Sequence, residues 1–231
     1  MRFAVLGSGS QGNGTLIASA DTYVLVDCGF SLRETEKRLL RLGVHPAQLS
    51  AILVTHEHAD HVHGVGLLSR RYNLPVYLSR GTLDGLRKPI EPAGFVAGGE
   101  QLRVGALDIS VVSVAHDARE PTQYVFSDGE RRFGLLTDLG SYCNKVMDSY
   151  RDLDALMIES NHCRDMLARG YYPYFLKQRV GGERGHLNNH QAAFLVAELG
   201  WQGLQHLVLA HLSSKNTVSY THLTLPTKRI V

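Results

Sequence analysis

The 231 residues carry 24 Lys and Arg against 22 Asp and Glu, with 44% apolar and 20% charged side chains, the balance of a soluble globular chain long enough to bury a substantial core. No apolar run approaches the roughly 20 residues of a membrane helix, and residues 1–6 lack the layout of a signal peptide. Three cysteines, Cys28, Cys143 and Cys163, are odd in number and show no metal spacing, which argues against a disulfide scaffold and fits a reducing cytoplasm.

Residues 3–6 read as a strand, followed by the glycine-rich loop Gly7-Ser8-Gly9-Ser10-Gln11-Gly12-Asn13-Gly14. Residues 15–18 and 23–26 are short strands, the second ending in Asp27-Cys28-Gly29. Ser31 and Glu34 have capping-box spacing ahead of a helix bearing Leu32, Leu39, Leu40 and Leu42, with Gly43 placed to end it. A buried strand at 51–54 leads into Thr55-His56-Glu57-His58-Ala59-Asp60-His61. A helix over about 62–72 and a strand at 75–78 follow. Strands at 107–114, 123–127 and 132–137 come next, with Asp128-Gly129 as a hairpin turn. The series closes with a strand at 155–159, a helix at 188–199 stopped by Gly200, and a strand at 206–210. Many short strands interleaved with few helices predict an α/β chain of sheets packed together with helices outside.

The stretch from His56 to His61 is the most informative. His56 and His58 lie two apart, so in a tight turn both imidazoles can converge on one cation, while Asp60 and His61 can face a second. Imidazole with carboxylate suits zinc, manganese or iron. A polar loop that happens to be rich in histidine is the plainer alternative. Later residues argue against it: His116, Asp138 and His211 each lie just past a buried strand, where an α/β scaffold holds functional groups.

The stretch 218–227 resembles a translated sequencing-library adapter, so the expected native domain is 1–217 and 218–231 is expected to be a non-native read-through tail. His222 is therefore left out of any site. Without Lys228 and Arg229 the 24 basic residues fall to 22, equal to the 22 acidic ones, and bulk charge carries no information about a nucleic-acid partner.

With Asp27, the cluster His56/His58/Asp60/His61, His116, Asp138 and His211 in place, the chain resembles the metallo-β-lactamase superfamily over about residues 1–217. Within it the chain looks most like the bacterial YycJ/WalJ branch of metal-dependent exonucleases. Gly7-Ser8-Gly9-Ser10-x-Gly12-Asn13, His116-Asp117-Ala118-x-x-Pro121, Glu159-x-Asn161-His162, Gly185-His186-Leu187-x-Asn189 and His211-Leu212-Ser213-x-x-Asn216 carry that likeness. Asn188 departs from the serine expected there, and the branch's C-terminal structure is expected to be truncated.

The resemblance implies an αββα sandwich holding two divalent ions, zinc or manganese. His56, His58 and His116 would bind the first ion, Asp60, His61 and His211 the second, and Asp138 both; Asp27 would orient a ligand. Asp60 and His186 are the catalytic candidates, His186 as general acid or phosphate contact, with Gly185 allowing unusual backbone beside it and a helix near Asn188 offering N–H groups to phosphate. A helix-capping loop histidine is the bland reading of His186. His162 is a weaker candidate, and His45, His63, His190 and His206 read as surface or packing residues.

Arg164, Arg169, Lys177, Arg179 and Arg184, interleaved with Tyr171, Tyr172, Tyr174 and Phe175, form a stretch able to hold a phosphate backbone and stack bases; Arg179 and Arg184 are its substrate-binding candidates. A solvated loop with an aromatic anchor in the core is its alternative. Residues 139–210, 72 in all, are too few for the inserted domain of the β-CASP nucleases. The expected function is a cytoplasmic dinuclear-metal phosphodiesterase acting on nucleic acid, DNA first, without membrane association. A glyoxalase II or lactonase-type hydrolase is the alternative. A flavodiiron-like redox protein would need a glutamate where His58 stands.

Overall fold

The computed structural model describes residues 1–200 and 203–217; the adapter-like stretch, and with it the expectation of a non-native tail, lies outside them. The chain divides into two compact units. The first holds Met1–Ser113 with Ala118–Thr122 and Phe126–Glu130. It opens with an antiparallel meander, β1 (Arg2–Gly7), β2 (Gly14–Ser19) and β3 (Thr22–Val26), in which Phe3 faces Ile17 and Leu16 faces Leu25. Strands β4 (Ala51–Leu53), β5 (Val76–Leu78) and β6 (Gly94–Phe95) then add in parallel.

Parallel neighbours need crossovers. Helix α1 (Leu32–Arg41) supplies the first, α2 (Ala59–Val62) and α3 (Val65–Tyr72) the second, and α4 (Arg80–Gly85) the third. Ser31 caps α1 by accepting from the Glu34 N–H, and Gly43 ends it at φ +73°. Leu25, Leu39, Ile52, Leu68 and Leu78 are fully buried here; removing one such leucine side chain costs about 2–5 kcal/mol.

The helix expected over about 62–72 is broken. The Gly64 N–H donates to the Cys28 carbonyl at 2.7 Å, and a Cβ there would lie 2.3 Å from the Phe30 carbonyl oxygen. This close approach interrupts a sequence that otherwise reads as one helix. Cys28 is buried among these loops, and burial lifts its thiol pKa to about 11, so it is an inert packing group.

The same loops explain the glycine-rich stretch. Gly12 sits at φ +149° against the Phe30 ring, and the Asn13 N–H donates to the Asp60 carbonyl at 2.7 Å. Gly29 donates to the Asn13 carbonyl at 2.8 Å, and a Cβ on Gly29 would stand 1.7 Å from the Asp60 carbonyl oxygen. The backbone of Asp60 and Asn13 around that position leaves no room to yield. Gly29→Ala should therefore lose at least about 2 kcal/mol, read as a fall in Tm of roughly 4–8 °C. An unchanged Tm would mean that the loops separate freely.

The second unit holds Val114–Asp117, Gln123–Val125 and the described residues from Arg131 onward. Strands β10 (Arg132–Leu136), β11 (Ala155–Glu159) and β12 (His206–Ala210) are parallel, with Leu136 facing Ile158 and Ile158 facing Leu209. Helix α5 (Asn144–Ser149) connects the first two, and α6 (Arg164–Arg169), α7 (Tyr174–Val180) and α8 (Asn189–Glu198) precede the last. Phe133, Leu135, Tyr150, Leu156 and Ile158 are buried. The Tyr150 hydroxyl donates to the Leu135 carbonyl at 2.7 Å, and burial raises its pKa.

Strands β7 (Gln101–Val104), β8 (Leu107–Ser113) and β9 (Thr122–Ser127) complete the set. Hydrogen bonding orders the strands as two mixed six-stranded sheets, β1-β2-β3-β4-β5-β6 and β12-β11-β10-β9-β8-β7. Among the described residues no helix is long and apolar enough to cross a membrane.

Candidate metal centre

In the first unit β4 delivers a fully buried His56 into a turn. His56 Nε2 lies 3.0 Å from His58 Nδ1, with the two rings 4.5 Å apart and nearly perpendicular. His58 is the residue ahead of α2, while Asp60 and His61 fall within that single turn. The His61 ring lies 4.0 Å from that of His56, and its Nε2 lies 3.7 Å from Asp60 Oδ2.

Asp27 holds the arrangement from behind. One of its oxygens accepts from the Thr55 N–H at 2.9 Å, the other from the Thr55 hydroxyl and from His61 Nδ1, both at 2.8 Å. A proton fixed on His61 Nδ1 leaves Nε2 as the basic nitrogen. The Asn13 amide lies 2.9 Å from that Nε2 and 3.2 Å from Asp60 Oδ2. Asn13 was part of the glycine-rich string but carried no site role from sequence alone.

In the second unit Asp138 follows β10 at φ 55° and His211 follows β12 at φ 51°, the left-handed geometry also taken by Asp27 after β3 at φ 60°. A non-glycine residue there costs of order 1–3 kcal/mol, and such strain concentrates at functional sites. His211 Nδ1 lies 3.4 Å from Asp138 Oδ1, and His116 Nε2 lies 4.0 Å from the same oxygen. His116 Nδ1 lies 3.1 Å from the Gly185 carbonyl, so it carries the proton and Nε2 the lone pair. Asp138, His186 and His211 each bring one ligand-type atom within 4.8 Å of the other two.

Sequence reasoning missed the role of Glu159, although the residue ends β11 just as other functional groups end their strands. Its Oε1 accepts from the Leu139 and Leu187 N–H groups at 2.7 and 3.1 Å, and its Oε2 lies 2.9 Å from His186 Nδ1. Burial would raise its pKa, but the His186 charge and hydrogen bonds from His186 and His211 outweigh it, and the net shift is downward. Glu159 is thus an ionised, fully buried acceptor that holds the His186 ring by Nδ1. Asn161 donates to the His211 carbonyl at 2.9 Å.

His162 is buried beside these groups, and burial, followed by the His186 charge, depresses its imidazole pKa to about 4. Its place is internal: the Asn189 N–H donates to its carbonyl at 2.9 Å. Asn188 does the work expected of serine, its side chain accepting from the His190 and Gln191 N–H groups. Those N–H groups are thereby taken, which removes the idea that they face a phosphate.

Residues 164–184 form α6 and α7, and α7 has no buried residue. Tyr171, Tyr174 and Phe175 are exposed by 106%, 77% and 72%, so these three are not an anchor in the core. Arg184 is exposed. Arg179 is held 2.5 Å from Asp117 by a solvent-exposed ion pair, the residue next to His116.

The chain matches the β-lactamase superfamily domain over residues 22–212. It is 34% identical to the exodeoxyribonuclease YycJ of Bacillus anthracis, over 94% of this chain and 84% of that protein. It is 32% identical to the exodeoxyribonuclease WalJ of Streptococcus pneumoniae, over 97% and 86%. The metallo-β-lactamase fold protein YhfI of Bacillus subtilis superposes with a TM-score of 0.71 at 22% identity, covering 93% of this chain and 88% of that one.

Proposed function

The chain belongs to the metallo-β-lactamase superfamily and has its fold, and from that premise we propose that it is a dinuclear-metal-dependent phosphodiesterase that degrades DNA from strand ends. The observation that carries this is the presence of the His56–His61 turn and the Asp138–His211 group in a chain that matches two exodeoxyribonucleases over most of their length.

We assign His56, His58 and His116 to one divalent ion, Asp60, His61 and His211 to a second, and Asp138 to both. The donors suit such ions: imidazole nitrogens and carboxylate oxygens, buried at His56, His61, His116, Asp138 and His211 and partly buried at His58 and Asp60, with His56 Nε2 and His58 Nδ1 3.0 Å apart. Zinc and manganese both accept this set. Two divalent ions supply a nucleophilic water at neutral pH and offset charge on a phosphoryl group.

The chain's own residues do the rest. Asp27 and the Gly185 carbonyl fix the protons of His61 and His116 on Nδ1, so both present Nε2. Asp60 positions the attacking side. Glu159 fixes the His186 proton on Nδ1 and stabilises the doubly protonated ring, so that His186 Nε2–H can protonate the leaving oxygen as the P–O bond breaks.

The exposed aromatic side chains of α7 and the segment before it, together with Lys177, Arg179 and Arg184, suit a polynucleotide better than a small thioester. Arg179→Gln combined with Arg184→Gln should weaken DNA binding and reduce the slope of log K against log salt by about two. Turnover of bis-p-nitrophenyl phosphate should stay within about twofold, because the ligands and His186 are untouched. Equal losses on both substrates would make the stretch a support of the fold.

A further inference from the structure

The first unit contains a cavity of about 540 Å³ beside His58, between α3 and the segment that follows α4. This lies within the roughly 300–1,000 Å³ range of small-molecule sites. Its walls are of two kinds. Val62, Leu67 and Ile90 make an apolar face, and Leu67 is 49% exposed although it belongs to a helix that buries Val65 and Leu68. Arg70, Arg87 and Lys88 make a basic edge, all three exposed, against Glu57 as the only acid lining the cavity.

Glu57 is held from two directions. Its Oε1 accepts from the Arg119 N–H at 2.9 Å, and a Cβ on Gly85 would lie 2.5 Å from its Cγ. Its Oε2 is buried with no hydrogen-bond partner among the described residues, so the carboxylate contributes charge to this wall and not a contact for an occupant. An occupant that suits both the apolar face and the basic edge has an apolar body and at least one phosphate. His58 lines the cavity, so such an occupant would stand beside the proposed chemistry.

We propose that this cavity receives the terminal nucleotide of the DNA strand, its base against Leu67 and Ile90 and its phosphate on Arg87 and Lys88. The inference rests on the nuclease reading and adds what that reading lacks, a place for the base and phosphate of the nucleotide beside His58.

The test uses the metal-loaded protein with dAMP and inorganic phosphate as titrants, followed by calorimetry, and end-labelled DNA as substrate. Leu67→Asp lies on the surface and should weaken dAMP by about tenfold or more while leaving phosphate within about twofold. Arg87→Glu combined with Lys88→Glu should weaken dAMP and phosphate alike and raise KM for DNA by about tenfold or more, with kcat within about twofold. Unchanged dAMP affinity in both variants, each with native Tm, overturns the pocket even if the protein is a nuclease. If no nucleic acid is cleaved, the nuclease reading fails, and dAMP binding that responds to these variants still identifies a nucleotide site.

Discussion

His58→Ala is expected to reduce DNA hydrolysis by about 10³-fold or more while leaving Tm nearly unchanged. The two effects separate because of where His58 sits. It precedes α2, yet its side chain makes no capping hydrogen bond to that helix, and it is only partly buried. Its ring faces His56 Nε2 at 3.0 Å, so alanine removes one of the assigned donors and little packing. Elemental analysis of the variant should show reduced metal content. Full metal content with full activity would take His58 out of the ligand set.

His186→Ala is expected to lower kcat by about 10²–10⁴-fold, the usual contribution of a positioned proton donor, with a much smaller effect on DNA binding. Glu159→Gln should lower kcat in the same direction, since an amide no longer stabilises the doubly protonated ring that Glu159 now holds at 2.9 Å. It should also destabilise the fold, because an amide N–H in place of Oε2 would face His186 Nδ1, while the remaining carbonyl can still accept from the Leu139 and Leu187 N–H groups. The pH dependence has a definite sign. A carboxyl whose pKa is lowered by folding contributes stability above its unfolded value, and that contribution is lost as the pH falls through the folded value. Glu159→Gln should therefore flatten the acid limb of the stability curve. A His186→Ala enzyme with unchanged kcat, and a loss only in KM, would make His186 a phosphate contact and not an acid.

The proposed ligand pattern was legible in the sequence because metal chemistry demands particular side chains at particular spacings, and because His or Asp directly after a buried strand seldom serves packing alone. Asp27, Asp138 and His211 each stand just past such a strand in left-handed backbone. Glu159 ends β11 in a similar way, but a glutamate at a strand end is ordinary, and only its hydrogen bonds with Leu139, Leu187 and His186 point to its role.

Other features come from contacts far apart in sequence. The break at Gly64 depends on Cys28 and Phe30. Helix α4 and strands β6 and β7 lie in a stretch, 80–104, with no clean hydrophobic period. The cavity beside His58 exists because residues 85–90 approach residues 57–70, and no local pattern records that approach. The basic stretch 164–184 was legible as charge and aromatic content, whereas the pairing of Arg179 with Asp117 was not.

The most direct measurement is hydrolysis of end-labelled linear DNA by the protein stripped of metal and then restored with manganese or zinc, beside RNA and a glutathione thioester. The expected result is stepwise loss of nucleotides from DNA ends that chelation abolishes and restored metal recovers. Robust thioester hydrolysis with no cleavage of DNA or RNA, in protein holding its metal, would contradict a dinuclear exonuclease.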